Sequence, residues 1–243
     1  MTGITDHLAE IRARMANAAA SSAARTAAGS GRPPTSITLV AVSKGHPRAA
    51  VDSGLAAGLQ DFGENYLAEA LPKMAAGRRD AVWHFIGRIQ SNKTREITNN
   101  FDWAQTVTSA RIAERLSAQR PHHGEPLQVC IQLEPRALPP AAMGHARPGR
   151  EGCPSADVPA LADLITRLPR LRLRGLLLLP RAGLDAGSLR AEFRAARTLF
   201  DELIVRGHVL DTLSMGMSDD FAMAIEEGST MIRVGTALFG KRP

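Results

Sequence analysis

Eight short apolar segments, separated by segments with helical spacing, constrain the fold of this 243-residue chain more than any other feature. The apolar segments span residues 37–42, 61–65, 83–87, 102–107, 127–133, 173–179, 211–214 and 231–236. Short apolar runs that alternate with helices are typical of buried strands in a parallel sheet, and eight such strands close a (β/α)8 barrel. An open doubly wound sheet is the weaker alternative, because no G-x-G-x-x-G motif follows the first strand. We therefore predict an α/β fold with a single (β/α)8 TIM barrel.

The segments between the strands predict the helices of this barrel and one helix before it. Residues 4–28 combine apolar side chains at helical spacing with an alanine-rich tract, which predicts an extra N-terminal helix. Further helices are predicted after the polar loop 90–93 and over residues 47–57, 65–76, 109–119, 157–168, 188–206 and 219–227, with Ser109 as a helix cap. Residues 134–155 are rich in Pro, Gly and Ala. We predict that they form a long loop within one domain spanning residues 1–243.

Charge and composition narrow the classes of function. The net charge of +6 comes from scattered arginines, and aromatic residues make up 4% of the chain. Nucleic-acid binders concentrate their basic residues and add aromatics for stacking, so we expect no nucleic-acid partner. No apolar run reaches the length of a membrane span, and residues 1–10 lack an apolar signal core, so we expect a cytoplasmic protein without a membrane partner. Cys130 and Cys153 have no metal-type spacing, and we expect no metal.

Lys44 comes directly after the first predicted strand, in the sequence Val40-Ala41-Val42-Ser43-Lys44-Gly45. An ammonium at the edge of an apolar core loses hydration, which lowers its pKa and leaves a free amine for Schiff-base chemistry with a carbonyl. The alternative is a lysine that ends the strand and extends into water. Two observations favour the functional interpretation. The chain has only four lysines, and Lys44 falls at the strand-end mouth where barrel enzymes place their chemistry, as do Asn65, Gly87, Ser214 and Gly235.

The loops after the seventh and eighth strands are where barrels often bind phosphate. Here they read Ser214-Met215-Gly216-Met217-Ser218 and Gly235-Thr236. Glycines allow backbone N–H groups to approach an anion, and hydroxyls add donors; ordinary glycine turns are the alternative. Ser218 is also predicted to cap the following helix. Arg233, within the eighth strand, needs a ring nitrogen or a carboxylate as partner if it faces the interior, although strand alternation equally allows an outward arginine.

A lysine amine that faces a phosphate site indicates a ligand with both an aldehyde and a phosphate. Pyridoxal 5'-phosphate (PLP) is the first candidate. A sugar phosphate in a Schiff-base aldolase is the rival that the same two features allow.

Six ordered sequence blocks resemble the YggS/PROSC family of PLP homeostasis proteins, and the resemblance extends over residues 8–240. The blocks are residues 39–44, 62–66, 83–87, 90–93, 213–220 and 233–240. The resemblance implies a barrel like the N-terminal domain of alanine racemases, which is a PLP fold type III barrel, without the C-terminal β-domain of those enzymes. Residues 131–155 depart from the family pattern, in which a Glu-x-x-Lys-x-Gly segment follows the fifth strand.

The resemblance also implies roles for single residues. Lys44 would carry PLP as a Schiff base, the internal aldimine. Arg233 would approach the pyridine nitrogen, and Asn65 would lie near the ring face or the phenolic oxygen. The phosphate would be held by Ser214, Gly216, Met217, Ser218, Gly235 and Thr236.

The family resemblance leaves two functions to compare. The first is intracellular PLP homeostasis, in which a monomeric carrier stores, protects and supplies PLP, with apo PLP-dependent enzymes as candidate receivers. The alternative is a PLP-dependent amino-acid racemase on the same barrel. Racemisation needs an acid or base on each face of the cofactor, and the racemases resembled take the second from a β-rich domain that we do not expect after Pro243. Tyr66 lies in a turn, and we interpret His84 as a hydrogen-bonded residue of the barrel wall. We therefore predict a carrier with no catalytic residue.

Overall fold

A computed structural model describes residues 3–25, 37–75, 81–135 and 151–242. Eight parallel strands in these ranges form a closed barrel, in which each strand pairs with the next and β8 pairs with β1. The strands are β1 (Thr38–Val42), β2 (Asp61–Glu64), β3 (Val82–Phe85), β4 (Trp103–Val107), β5 (Leu127–Leu133), β6 (Leu171–Leu178), β7 (Thr212–Ser214) and β8 (Met231–Val234). Closure confirms the predicted (β/α)8 barrel and excludes the open sheet.

The helices follow the predicted order, with differences at their ends. They are α1 (Ile4–Arg25), α2 (Arg48–Ala56), α3 (Leu67–Ala75), α4 (Thr94–Asn100), α5 (Ala110–Gln119), α6 (Val158–Arg167), α7 (Ala186–Val205), α8 (Phe221–Glu226) and α9 (Thr236–Phe239). The sequence did not predict α9, and residues 26–28 and 76 of two predicted helices lie outside the described residues. Ser109 occupies the N-cap position of α5, as predicted, but its side chain makes no capping hydrogen bond.

Four strands, namely β2, β3, β6 and β8, end earlier than predicted, and the residues that follow β2, β3 and β8 lie in loops at the mouth. β2, β3 and β8 stop before Asn65, Gly87 and Gly235. Gly87 allows the loops after β2 and β3 to pass close to each other, because a Cβ on it would lie 2.0 Å from the carbonyl oxygen of Asn65. A larger residue at this position would displace the loop that carries Asn65.

Two apolar clusters stabilise the barrel, one on each face of the sheet. The larger lies between the strands and the surrounding helices and includes Phe62, Trp83 and Phe193, all fully buried. The smaller lies inside the barrel and consists of Val40, Trp103, Cys130, Leu177 and Met231. Burial on both faces explains why the strands read as continuous apolar runs in the sequence.

The extra N-terminal helix occupies a defined place in the ring of helices. The α1 residues Leu8, Ile11 and Met15 are buried, as their helical spacing predicted. The guanidinium of Arg14 lies 4.3 Å from the ring centroid of Phe221 in α8. His7 Nδ1 lies 3.0 Å from the carbonyl oxygen of Leu238 in α9. α1 therefore packs on α8 and α9, the helices that precede and follow β8.

The predicted loop over residues 134–155 is described only at its two ends. Residues 136–150 lie outside the described residues. The ends are held together by a parallel bridge between Leu133 and Cys153, with Cys153 N–H donating to Gln132 at 2.7 Å and Glu134 N–H donating to Cys153 at 3.0 Å. The chain thus returns to the end of β5 before α6 begins, as expected of a loop within one barrel.

Candidate functional site

A cavity of about 510 Å³ opens at the mouth of the barrel formed by the carboxyl ends of the strands. Seven of the nine residues predicted to bind a ligand line this cavity, namely Lys44, Asn65, Met217, Ser218, Arg233, Gly235 and Thr236. They come from the ends of β1 and β8 and from the loops after β2 and β7. The fold therefore brings together residues that are almost 200 positions apart in the sequence, from Lys44 to Thr236.

Lys44 lies in the turn that leaves β1, between the fully buried Ser43 and the exposed Gly45. Gly45 has a positive φ of 74°, and its N–H donates to the Glu69 carboxylate at 2.7 Å, so the chain turns away and the lysine side chain stays at the cavity. Burial lowers the pKa of Lys44, and the charges of Arg242 and then Arg233 lower it further. Among the described residues no hydrogen bond or ion pair engages the Lys44 amine. This is the free, partly buried amine that the sequence predicted.

Lys73 is a second buried lysine near the site, and the sequence analysis did not identify it. Its Nζ lies 2.7 Å from Oε1 of Glu64 and 2.9 Å from the carbonyl oxygen of Ser43. The Ser43 hydroxyl donates to the same Glu64 oxygen at 2.6 Å. Burial raises the pKa of Glu64, although the hydrogen bonds from Lys73 and Ser43 oppose the rise. Lys73 is therefore engaged in supporting the peptide that precedes Lys44, and its amine is not free as that of Lys44 is.

Arg233 points into the barrel, which excludes the outward orientation that strand alternation had left open. Its side chain is 4% exposed and donates from Nη1 to the Ser214 hydroxyl at 2.6 Å and from Nη2 to the Leu178 carbonyl oxygen at 3.1 Å. Burial lowers the pKa of Arg233 to about 10. The residue therefore presents a buried cation and N–H donors to the cavity, and it has nothing with which to accept a hydrogen bond.

Two predicted ligand-binding residues, Ser214 and Gly216, are absent from the cavity lining. The Ser214 hydroxyl is fully buried and donates to Gln105 at 2.8 Å while it accepts from Arg233. Gly216 has a positive φ of 100°, and a Cβ there would lie 2.7 Å from the Cβ of Ala224 in α8. Both residues lie behind the side chains that line the cavity. Ser214 points into the barrel interior, and the turn at Gly216 packs against α8.

The loops after β7 and β8 meet at the cavity and present hydroxyls and backbone N–H groups. Ser218 Oγ accepts from the N–H of Ala237 at 3.4 Å, and Thr236 is the first residue of α9. The prediction that Ser218 caps the next helix was wrong. Asp220 is the N-cap residue of α8, and its carboxylate accepts from the Met217 N–H at 2.5 Å. Ser218 is thereby left facing the cavity.

Asn65 carries an unsatisfied polar atom at the cavity. Its buried Oδ1 has no hydrogen-bond partner in the part of the chain that the structure describes. A buried acceptor or donor without a partner costs about 1–3 kcal/mol, so this amide favours a polar ligand beside Lys44.

Neither of the candidate second bases considered from the sequence lines the cavity. His84 is fully buried and stacks on Trp103 with ring centroids 5.1 Å apart. Its nitrogens lie 2.9 Å from Asp61 and 2.8 Å from Gln105, which confirms the interpretation of a hydrogen-bonded wall residue. Tyr66 is 60% exposed and lies in the turn before α3.

Two cavity residues that sequence reasoning missed are His46 and Arg242. The stem of Arg242 packs so closely on Gly45 that a Cβ there would lie 2.7 Å from Arg242 Cδ. Burial lowers the pKa of His46, and Lys73 and Arg242 lower it further. Neither residue could be identified from the sequence, because His46 follows the turn after Lys44, Arg242 follows the last helix, and neither belongs to a motif. Arg242 adds a third basic side chain to Lys44 and Arg233 in the lining, which also contains the acidic Asp219.

Other kinds of site find no support in the ranges that the structure covers. There, no group of three or more His, Cys, Asp or Glu side chains is arranged to hold a metal ion. No helix there has the length and apolar character needed to cross a membrane. Both cysteines are free and buried, and burial raises the pKa of Cys130 to about 12 and that of Cys153 to about 11, so neither thiol is reactive.

Comparison with known proteins extends the similarity over the whole chain. The family model for the alanine racemase N-terminal domain matches residues 23–243. The chain is 46% identical over its full length to the pyridoxal phosphate homeostasis protein of Pseudomonas aeruginosa, of which it covers 97%. It is 41% identical to the protein of the same name from Escherichia coli K12, with coverage of 100% of this chain and 98% of that one.

A solved structure shows the same fold with a ligand bound. PipY from Synechococcus elongatus PCC7942, solved with PLP bound, superposes with a TM-score of 0.79 at 36% sequence identity, covering 98% of this chain and 100% of PipY. These similarities span nearly all of each chain. The protein described here therefore belongs to the family of the pyridoxal phosphate homeostasis proteins, within the wider family of alanine racemase N-terminal domains.

Proposed function

We propose that this protein binds PLP as a Schiff base on Lys44 and serves in intracellular PLP homeostasis, by storing, protecting and supplying the cofactor. The observation that carries the proposal is the Lys44 amine, which is partly buried, lowered in pKa and unpaired among the described residues. It faces a cavity whose opposite wall offers hydroxyl and backbone donors. A relative and a solved structure with the same fold are named for PLP.

The residues of the cavity fit the chemical groups of PLP. PLP supplies an aldehyde that condenses with a primary amine, and its phosphate and ring nitrogen are hydrogen-bond acceptors. Lys44 offers the amine, while Ser218, Gly235 and Thr236 are candidates to hold the phosphate. Met217 lines the cavity, but its N–H donates to Asp220, and Ser214 and Gly216 support the loop from behind. The unsatisfied Asn65 Oδ1 gives a second, independent sign that a polar ligand belongs here.

The lowered pKa of Lys44 has a direct chemical consequence. Only the neutral amine attacks a carbonyl carbon, so a lower pKa increases the fraction of reactive amine near neutral pH. Lys73 supports this by holding the Ser43 carbonyl, which fixes the peptide from which Lys44 extends.

An arginine beside the ring nitrogen favours a protein that holds PLP over an enzyme that uses the PLP ring to withdraw electrons from a substrate. A guanidinium donates hydrogen bonds and cannot protonate a ring nitrogen at neutral pH. A ring nitrogen that remains unprotonated withdraws electrons weakly, so proton loss from a bound amino acid is less favourable. We propose that the protein has no robust catalytic turnover.

The racemase alternative requires a second base on the other face of the cofactor. Within the described residues the cavity lining contains no tyrosine. Tyr66 lies outside it, and His84 is engaged by Asp61 and Gln105. These observations support the carrier. Among the described residues, a racemase would have to take its second base from His46 or Asp219, which line the cavity.

We propose a single-domain, monomeric, cytoplasmic protein whose partners are PLP and apo PLP-dependent enzymes, with no part for nucleic acid or membrane. The distribution of arginine supports the exclusion of nucleic acid. Arg174 is paired with Asp211, Arg190 with Glu226 and Glu227, and Arg197 with Asp201, so the positive charge of these arginines is neutralised locally.

Absorbance before and after borohydride reduction tests the proposal. The protein loaded with PLP is expected to show the visible band of a protonated Schiff base, and reduction is expected to leave a phosphopyridoxyl adduct on the peptide that contains Lys44. Lys44→Ala should abolish both signals. The matched control Lys93→Ala removes an exposed lysine that pairs with Glu96 at 2.9 Å and should change neither.

Three outcomes would contradict the proposal. Absence of a PLP band with a sugar phosphate trapped on Lys44 would favour the aldolase. An adduct on another lysine in wild-type protein would remove Lys44 from its role. Robust racemisation of alanine or serine that is lost in Lys44→Ala would replace the carrier by the racemase.

A further inference from the structure

A line of four side-chain hydrogen bonds crosses the barrel interior beneath the cavity. Arg233 Nη1 lies 2.6 Å from Ser214 Oγ, Ser214 Oγ lies 2.8 Å from Gln105 Oε1, Gln105 Nε2 lies 2.8 Å from His84 Nδ1, and His84 Nε2 lies 2.9 Å from Asp61 Oδ1. The first four residues are at most 4% exposed. The line thus connects a cation at the ligand cavity to a carboxylate at the start of β2, the end of that strand that lies away from the mouth.

The chemistry of the groups gives this line one direction. An arginine only donates, so Ser214 accepts from Arg233 and keeps its own hydrogen for Gln105. The amide oxygen of Gln105 accepts that hydrogen, so the amide nitrogen must face His84 and donate to Nδ1. The remaining ring nitrogen, Nε2, then carries the hydrogen that the Asp61 carboxylate accepts.

The opposite orientation of the Gln105 amide is disfavoured by two neighbours. It would place Oε1 against Nδ1 of His84, and both ring nitrogens would then need a hydrogen, which makes the ring a cation. His84 is fully buried, so a charged ring would lose its hydration, which costs free energy. Gln105 Nε2 also lies 3.1 Å from the sulfur of Met231, which can accept a hydrogen bond but cannot donate one.

We propose that Gln105 is a positioning residue for Arg233, acting through Ser214 and held in its orientation by His84 and Asp61. This inference rests on the proposed function, because Arg233 is the group that faces the ring nitrogen of the ligand. In this proposal Ser214 holds Arg233 in place from inside the barrel. Gln105 and His84 do not line the cavity, so any effect they have on the ligand is transmitted by Arg233.

The first test needs no variant and no ligand. In cofactor-free wild-type protein labelled with ¹⁵N, long-range proton–nitrogen correlation spectra near neutral pH should show His84 as the neutral tautomer with hydrogen on Nε2 and none on Nδ1. Hydrogen on Nδ1 would reverse the line at Gln105 and overturn the proposal.

Gln105→Glu adds a diagnostic change to the same spectrum. The carboxylate accepts from Ser214 and from His84, so His84 should gain a hydrogen on Nδ1 while Ser214 keeps its acceptor. An unchanged histidine spectrum in this variant would also count against the proposal, because a purely packing role for Gln105 predicts no change in protonation.

The second test is a double-mutant cycle on PLP affinity. Gln105→Leu and Ser214→Ala should each weaken PLP binding by roughly tenfold, the scale set by losing one hydrogen bond to a charged group. The double variant should bind about as weakly as either single variant, because Gln105 acts only through Ser214. Gln105→Glu should retain most of the affinity lost in Gln105→Leu.

Gln132→Leu is the matched control. Gln132 is a glutamine of β5 that is 5% exposed and takes no part in the line, so its loss should leave PLP affinity unchanged. Additive losses in the cycle, or equal losses in Gln132→Leu and Gln105→Leu, would overturn the proposal. Wild-type protein that fails to bind PLP would refute the proposed function, while the histidine spectra would still decide whether the line exists.

Discussion

Replacing Lys73 by methionine should destabilise the protein strongly while leaving its shape nearly unchanged. The substitution removes the cation that pairs with Glu64 at 2.7 Å, where the lysine side chain is 8% exposed and the carboxylate is fully buried. Removal of one partner from a buried pair costs about 3–5 kcal/mol, because the other charge remains buried without compensation. Oε2 of Glu64 already has no hydrogen-bond partner among the described residues, so little is available to replace the lysine.

The effect of Lys73→Met should depend on pH. Burial already raises the pKa of Glu64, and Lys73 is the largest opposing influence, so the folded-state pKa of Glu64 rises further in the variant. A carboxyl that binds its proton more tightly in the folded state stabilises the fold as pH falls through that pKa. The destabilisation should therefore be full at about pH 8 and smaller at about pH 5.

Urea unfolding of the cofactor-free variants at the two pH values measures this effect. Lys73→Met combined with Glu64→Gln should recover much of the lost stability, because no buried charge is left unpaired. Lys93→Met is the control, since its partner Glu96 is on the surface and both side chains are more than 40% exposed, and should cost less than about 0.5 kcal/mol. A loss below about 1 kcal/mol in Lys73→Met, or no recovery in the double variant, would refute the reasoning.

Two further substitutions probe the cavity. Gly216→Ala places a Cβ 2.7 Å from Ala224 Cβ and 2.9 Å from Phe221 Cα at a φ of 100°. The variant should lose about 1–3 kcal/mol of unfolding free energy in urea and bind PLP more weakly. An unchanged midpoint of urea unfolding would show that the turn relaxes freely. Arg242→Gln removes the charge that, after burial, lowers the pKa of Lys44 the most, so the pKa of Lys44 should rise. PLP should then bind to the variant more slowly near neutral pH and at the wild-type rate at higher pH. An unchanged pH–rate profile of PLP binding would contradict this reasoning.

The strand order and the central lysine could be predicted from the sequence because both leave local signals. The strands are buried on both faces and read as apolar runs, and Lys44 follows one of them directly. Arg233 was identified as a functional candidate for the same reason, since a charge inside an apolar run is conspicuous. Its inward direction needed the structure, because alternation in a short strand does not say which face is which.

The remaining features of the site depend on contacts between distant segments. Whether Ser218 or Asp220 starts α8 is decided by backbone angles in the loop, and both residue types favour helix starts. Ser214 was expected to face the ligand, but its direction depends on Gln105, which is more than 100 residues away in the sequence. Lys73 reads as an ordinary helix lysine until the fold places Glu64 beside it.

The pairing of β1 with β8 sets the order in which the protein can acquire its function during synthesis. In the register of these strands Val40 lies beside Arg233, so Lys44 and Arg233 become neighbours only when the barrel closes. β8 is the last of the eight strands to be synthesised, and contacts between segments as far apart in sequence as β1 and β8 form slowly. A nascent chain that already carries Lys44 therefore has no cavity in which to retain PLP. We therefore expect this chain to capture PLP only once β8 has paired with β1, and we expect the bound ligand to stabilise that strand pairing.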